Sequence, residues 1–158
     1  MSHSPLSIDD GACRFRPATC AEADALADIR VAAMRPSLEA VGRFSPERAR
    51  ERFLKGFDPA DTTVIEIGAE MAGFFVVRRR KDHLYLDHLY VEPAHQGRGL
   101  GRVVVAGLQA SAEREGLPIR LMALNGSPAN DFYKGCGFTL VSSDDLDTIY
   151  AWQAPPAK

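Results

Sequence analysis

The spacing of apolar positions changes twice along the chain, and each change marks a change of structure. Cys13-Arg14-Phe15-Arg16 alternates as a short strand does, and Pro17 closes it. Thr19 followed three residues later by Glu22 is a capping-box signature, and Ala25, Leu26, Ile29 and Ala33 then recur on one helical face. Pro36 is expected to end that helix. Ser45-Pro46-Glu47 starts a second helix, with Ala49, Phe53, Leu54 and Phe57 as its apolar side and Gly56 and Pro59 as its stop. From Thr62 the period becomes two. Thr62–Ile67, Met71–Arg79 and Leu84–Val91 read as strands separated by turns at Gly68-Ala69-Glu70 and Lys81-Asp82, which predicts an antiparallel meander. Helical spacing returns after Gly101, with Val104, Leu108 and Ala112, and stops at Gly116 before Pro118. Ile119–Leu124 is an unbroken apolar run suited to a central strand. Ser127-Pro128 opens a short helix from Ala129 to about Lys134, and Phe138–Val141 and Thr148–Trp152 are final strands around the acidic turn Asp144-Asp145. The order is mixed α/β, with no internal repeat.

Composition narrows the field without naming a function. At 158 residues the chain is expected to form a single domain over 13–153, between flexible tails at 1–12 and 154–158. Apolar content of 46% and charged content of 25% are those of a globular protein. A formal net charge of −2 gives no general attraction to nucleic acid or to an anionic membrane, and neither is expected as a partner. No apolar run approaches the roughly 20 residues of a membrane span, and the first residues lack a signal-peptide pattern. Three cysteines, Cys13, Cys20 and Cys136, form neither a disulfide framework nor a metal-ligand spacing, so a cytoplasmic setting and no metal are expected. The basic run Arg78-Arg79-Arg80-Lys81 reads as a solvated strand end.

The chemistry concentrates between Tyr90 and Gly101. There a strand ends, Gly97, Gly99 and Gly101 alternate with larger residues, and a helix begins. Such a loop gathers backbone N–H groups into one concavity in front of a helix N-terminus, which suits a phosphate. The Walker pattern does not fit, because neither its spacing nor its lysine is present. The dinucleotide pattern does not fit either, because the third glycine comes one residue early and the loop follows an antiparallel meander. A pyrophosphate held by backbone amides remains.

Gln96-Gly97-Arg98-Gly99-Leu100-Gly101, preceded by Leu89-Tyr90-Val91-Glu92-Pro93, fits the pattern Gln/Arg-x-x-Gly-x-Gly/Ala. Downstream, Ala129-Asn130-Asp131-Phe132-Tyr133-Lys134-Gly135-Cys136-Gly137-Phe138 fits a second pattern, Ala-x-x-Phe/Leu-Tyr-x-x-x-Gly-Phe. Both segments, in this order, strongly resemble the GCN5-related N-acetyltransferase (GNAT) superfamily, and the resemblance runs from about Arg14 to Trp152. It implies a central mixed, mostly antiparallel twisted sheet of six to seven strands flanked by about four helices. In that fold two parallel strands splay apart around the coenzyme, and by position these end at Val91 and Leu124.

The resemblance further implies acetyl-coenzyme A as co-substrate and an amine of unidentified nature as acceptor, with a homodimer left open. Pantetheine would run along Leu89, Tyr90 and Val91, and the pyrophosphate would sit on Gln96, Gly97, Arg98, Gly99, Leu100 and Gly101, with Arg102 nearby. Asn125 matches a recurrent asparagine. The segment Asn125–Ala129 is one residue longer than is common, which makes Asn130 a second candidate. Tyr133 matches the tyrosine that meets the departing thiolate. The general base is sought on the strand Tyr85–Tyr90, where Asp87 and His88 face opposite sides and both stay open. Met34–Phe44, read as the link between the first two helices, is expected to wall the acceptor site. A non-catalytic acyl-coenzyme A sensor on the same fold is the alternative.

Overall fold

The computed structural model describes residues 6–8 and 11–156. Strands are β1 (Leu6–Ile8), β2 (Gly11–Pro17), β3 (Thr62–Ile67), β4 (Glu70–Arg79), β5 (Leu84–Val91), β6 (Ile119–Leu124), β7 (Thr139–Ser143) and β8 (Asp147–Trp152). Helices are α1 (Ala23–Ala40), α2 (Pro46–Lys55), α3 (Leu100–Glu115) and α4 (Ala129–Gly135). Among the described residues the architecture is thus the expected mixed α/β fold of four helices and seven mostly antiparallel strands, β2 to β8, extended by the three-residue β1. The tails expected at 1–12 and 154–158 lie partly outside the described residues, and β1 pairs with Gly11–Cys13.

Contacts cluster into two compact units, Met1–Val76 with His88–Arg98 and Val77–Asp87 with Gly99–Lys158. The first has strand order β1-β2-β3-β4-β5. β2, β3 and β4 pair antiparallel, with a register shift at Ile65/Glu66. Leu26, Ala27 and Ile29 of α1 and Phe53 of α2 bury against Val64, Phe74 and Val76. Phe53 and Phe74 meet edge-on with centroids 5.1 Å apart. The start of α2 is the one that Ser45-Pro46 predicts, with the Ser45 hydroxyl accepting from the Arg48 N–H.

Pro36 does not end α1, which runs on to Ala40. The missing N–H removes one hydrogen bond, but Arg35 and Glu39 form an i,i+4 pair at 3.0 Å across it. The helix stops instead at Gly42, whose φ of +69° allows its N–H to reach Glu39 O and the Arg43 N–H to reach Leu38 O. That pattern is a Schellman end, and it needs a residue without Cβ.

The second unit has strand order β4-β5-β6-β8-β7. β5 and β6 pair in parallel, Leu84 with Ile119, Tyr85 with Arg120 and Leu86 with Leu121. β6 pairs antiparallel with β8 along its whole length. Gly116, at φ +69°, closes α3. The basic run is held by ion pairs, Arg78 to Asp87 at 3.1 Å and Arg79 to Glu115 at 2.9 Å.

The entry to α1 is fixed by charge. Glu22 accepts from Arg16 Nη2 at 2.6 Å, from Nη1 at 3.0 Å and from the Thr19 N–H at 2.9 Å, and Arg16 Nε also reaches Glu66 at 2.7 Å. The Arg16 hydrogen bond, aided by the Thr19 N–H, lowers the Glu22 carboxyl from an ordinary 4.5 to about 2. A lowered folded-state pKa stabilises the protein above the unfolded value and loses that contribution as pH falls toward the folded one. Glu22→Gln is therefore expected to cost about 1–2 kcal/mol at neutral pH, after discounting for Arg16's partial exposure. The difference from wild type should vanish in denaturant melts between pH 4.5 and about 2; a cost independent of pH across that window would contradict the assignment.

Candidate functional site

β5 leads into the glycine loop through the turn Pro93–His95. Two contacts in the first unit fix where the strand ends. The Glu92 N–H donates to Ala72 O at 2.8 Å. Gln96 Nε2 donates to Val91 O at 3.0 Å, so the loop's first side chain folds back onto the strand. Gly73 lies under this end: a Cβ there would stand 2.3 Å from Tyr90 O. His95 is buried, its Nε2 lies 3.2 Å from Glu70, and its Nδ1 has no partner.

Gly97 and Gly99 both hold left-handed backbone, with φ of +84° and +77°. A Cβ on either would meet nothing within 4 Å, so the space over the loop is open. Gly99 is the N-cap of α3, and no side chain caps that helix. Its carbonyl accepts from Val103 N at 3.1 Å. The N–H groups of Leu100, Gly101 and Arg102 precede that first helical bond and carry the positive end of a 16-residue helix. Leu100 itself is buried. The boundary between the two units falls inside this loop, between Arg98 and Gly99.

Gly101 is small for a packing reason. A Cβ would come 3.1 Å from Phe132 Cζ of α4. The next residue of α4, Tyr133, is 8% exposed, with ring centroids of Phe132 at 5.0 Å and Phe138 at 5.6 Å. Burial pushes the Cys136 thiol up, with Arg102 pulling it partly back, so this cysteine is a poor thiolate nucleophile.

Both asparagines proposed for the coenzyme make internal bonds in the second unit. Asn125 donates to Asp144 O at 2.8 Å and accepts from Thr148 Oγ1 at 2.6 Å. Asn130 donates to Leu124 O at 2.9 Å and accepts from Tyr150 Oη at 2.8 Å. They tie the end of β6 and the start of α4 to β8.

On β5, alternation separates the two candidate bases as expected. Asp87, its side chain 32% exposed, accepts from Arg78 Nε at 3.1 Å. His88 is 7% exposed and stacks edge-on against Phe53 at 5.4 Å, with Nδ1 3.0 Å from Tyr90 Oη. Arg30, which the apolar pattern of α1 did not single out, donates from Nε to the same Tyr90 oxygen at 3.0 Å.

The segment Met34–Phe44 is mostly not a link. Residues through Ala40 are helical, and the connection is Val41–Ser45. An open depression of about 470 Å³ is lined there by Val41, Gly42, Arg43, Phe44, Ser45 and Arg48. Among the described residues no group of three or more His, Cys, Asp or Glu is placed to hold a metal ion, and no helix is long and apolar enough to cross a membrane.

The sequence model of the acetyltransferase (GNAT) family matches residues 25–138. No curated protein sequence matches the chain. Among solved structures, the PaiA N-acetyltransferase of Thermoplasma acidophilum, in complex with coenzyme A, superposes with a TM-score of 0.75 at 13% identity, covering 90% of this chain and 99% of that one. An acetyltransferase from Thermus thermophilus gives 0.69 at 20% identity, covering 90% and 97%. The ribosomal-protein-S18-alanine N-acetyltransferase of Escherichia coli gives 0.69 at 19%, covering 92% and 96%. At these identities the likeness is one of fold.

Gly73 supplies a test of the strand end. Gly73→Ala places a methyl group against Tyr90 O and is expected to cost about 1–3 kcal/mol through overpacking. The backbone amide resonances of residues 89–92 should shift. A variant as stable as wild type, with those resonances unmoved, would show that the backbones do not approach this closely.

Proposed function

The chain belongs to the acetyltransferase (GNAT) family, and we propose that it transfers an acetyl group from acetyl-coenzyme A directly to a primary amine of a small molecule or peptide. The observation that carries this reading is the α3 N-terminus. It has no side-chain cap, two left-handed glycines precede it, and open space lies over both. A pyrophosphate on the loop from Gln96 to Gly101 would satisfy the amides of Gly97 to Gly101 without a lysine, the Gln96 N–H itself reaching Pro93 O at 3.3 Å, and Arg98 and Arg102 add positive charge. That a fold neighbour was crystallised with coenzyme A supports the choice of ligand. The other neighbour's action on a ribosomal-protein alanine keeps peptide acceptors within the proposal.

In this reading pantetheine lies along the backbone of Leu89, Tyr90 and Val91. The amine attacks the thioester carbon, the C–N bond forms and the C–S bond breaks. The ammonium proton leaves to a side chain of β5, the thiolate takes a proton from the Tyr133 hydroxyl, and the second proton lost by the nitrogen restores that phenol. Asp87, held by Arg78, and His88, held by Tyr90, compete for the first proton. No acyl-enzyme is required, in keeping with the raised Cys136 thiol. Asn125 and Asn130 make internal bonds that serve the scaffold.

The test is release of free coenzyme A, with the acetylated product identified by mass spectrometry, across a panel of primary amines and free N-terminal peptides. Turnover with at least one class is expected. Tight binding without turnover over the whole panel would make the chain a coenzyme-binding module. Absence of a thermal shift at saturating acetyl-coenzyme A would remove the ligand itself.

Two substitutions separate the parts. Gly99→Val forces a β-branched residue into left-handed backbone and over the phosphate site, and coenzyme affinity is expected to fall at least about tenfold. Unchanged affinity in a folded variant would sink the loop assignment. Tyr133→Phe is expected to lower kcat by about 10²-fold with little change in coenzyme affinity. An undiminished rate with chemistry limiting would remove Tyr133 as the acid.

A further inference from the structure

α1 carries Leu26, Ala27 and Ile29 into the core, and Arg30 follows one turn after Leu26 on the same buried side. It is 6% exposed. A guanidinium so placed is costly unless its donors are engaged and its charge is matched. Nη1 donates to Ala49 O at 2.6 Å, Nε donates to Tyr90 Oη at 3.0 Å, and the charge lies 5.7 Å from the Tyr90 ring centroid. One partner is a carbonyl and the other a phenol. Among the described residues no carboxylate pairs with Arg30, and its Nη2 meets no acceptor.

Arg16, Arg50 and Arg78 show how the fold treats partly buried arginines elsewhere. All three are more exposed than Arg30, yet each sits on carboxylates: Glu22 and Glu66 for Arg16, Asp24 and Asp28 for Arg50, and Asp87 for Arg78. The most buried arginine is left without a counter-ion. A ligand anion would supply it, meeting two N–H donors on Nη2 and matching the charge. Burial sets the side of approach. The Ala49 side of the guanidinium is closed over, whereas the Tyr90 side is only partly buried. Tyr90 belongs to the stretch of β5 proposed for pantetheine, so the anion arrives beside the thioester arm. The coenzyme's own phosphates are assigned to the loop beyond Val91, which leaves the acceptor as the source of the anion.

We infer that Arg30 seats a carboxylate of the acceptor, so that the amine this chain acetylates also carries an acid group. The inference rests on the acetyl-transfer reading given above. It narrows the small molecules and peptides of that reading to amino acids and to peptides whose first residue is acidic. The planar guanidinium suits this task, because its fork matches a carboxylate and its charge persists at every working pH.

Two matched pairs of acceptors test it: an α-amino acid against its amide, and an amidated peptide beginning with Asp against one beginning with Asn. Wild type is expected to favour the acid member of one pair by at least about tenfold in kcat/KM, and the pair that shows it identifies the source of the carboxylate. Arg30→Gln should bring that ratio to within about threefold of one. In the wild-type full chain with coenzyme A present, the Arg30 ¹H–¹⁵Nε resonance should shift saturably with that acid member and stay in place with its amide. Parity in both pairs would overturn the inference, as would an unchanged ratio in a folded Arg30→Gln or an Arg30 resonance that neither acid moves. Should the variant not fold, the wild-type ratio and resonance decide by the same criteria. If no amine turns over, the acetyl-transfer reading falls, and the resonance alone decides whether Arg30 takes a carboxylate.

Discussion

The loop between β5 and α3 depends on left-handed backbone at two glycines. At Gly97 and Gly99 the backbone takes φ values that a residue with a Cβ reaches only with strain. The chain turns there from extended to helical without a side chain filling the corner. The first amides of α3 consequently have no side-chain cap. Buried Leu100 anchors the first turn, and the close approach of Gly101 to Phe132 brings α4, and with it Tyr133, alongside. On the strand side, the Gln96 amide and the Ala72 carbonyl fix the end of β5. A binding loop made of backbone depends on such supports more than on its own side chains.

Most of the fold was legible because local and tertiary preferences agree. Ser45-Pro46 starts α2, Gly116 ends α3, and the shift from helical to alternating spacing at Thr62 marks the meander. Pro36 misled because its cost is one hydrogen bond, whereas the Schellman end at Gly42 and the Arg35–Glu39 pair lie beyond it. The link read at Met34–Phe44 narrows to Val41–Ser45 for the same reason. β1 was missed because three residues carry too little periodicity to read.

The candidate site was legible where chemistry is written in residue type and obscure where it depends on distance. Glycines and a tyrosine in sequence context were enough to locate the loop and Tyr133. Nothing in the pattern around Arg30 separates a surface arginine from a buried one, since it sits among alanines and valines on a helix whose polar positions are mixed. Gly73 looked like any residue of an apolar strand until Tyr90 O came into view beneath it. Asn125 and Asn130 show the opposite case. Their sequence position fits a ligand, but their amides are engaged by Asp144, Leu124 and the hydroxyls of Thr148 and Tyr150.

The central claim is that the loop from Gln96 to Gly101, through the backbone amides of Gly97 to Gly101, holds the pyrophosphate of coenzyme A. Backbone amide NMR during a titration with coenzyme A addresses it without any knowledge of the acceptor. The account predicts saturable shifts that are largest at residues 96–102, with a second group at 89–91. Saturation of binding with those amides unmoved, or no binding at all, would contradict it.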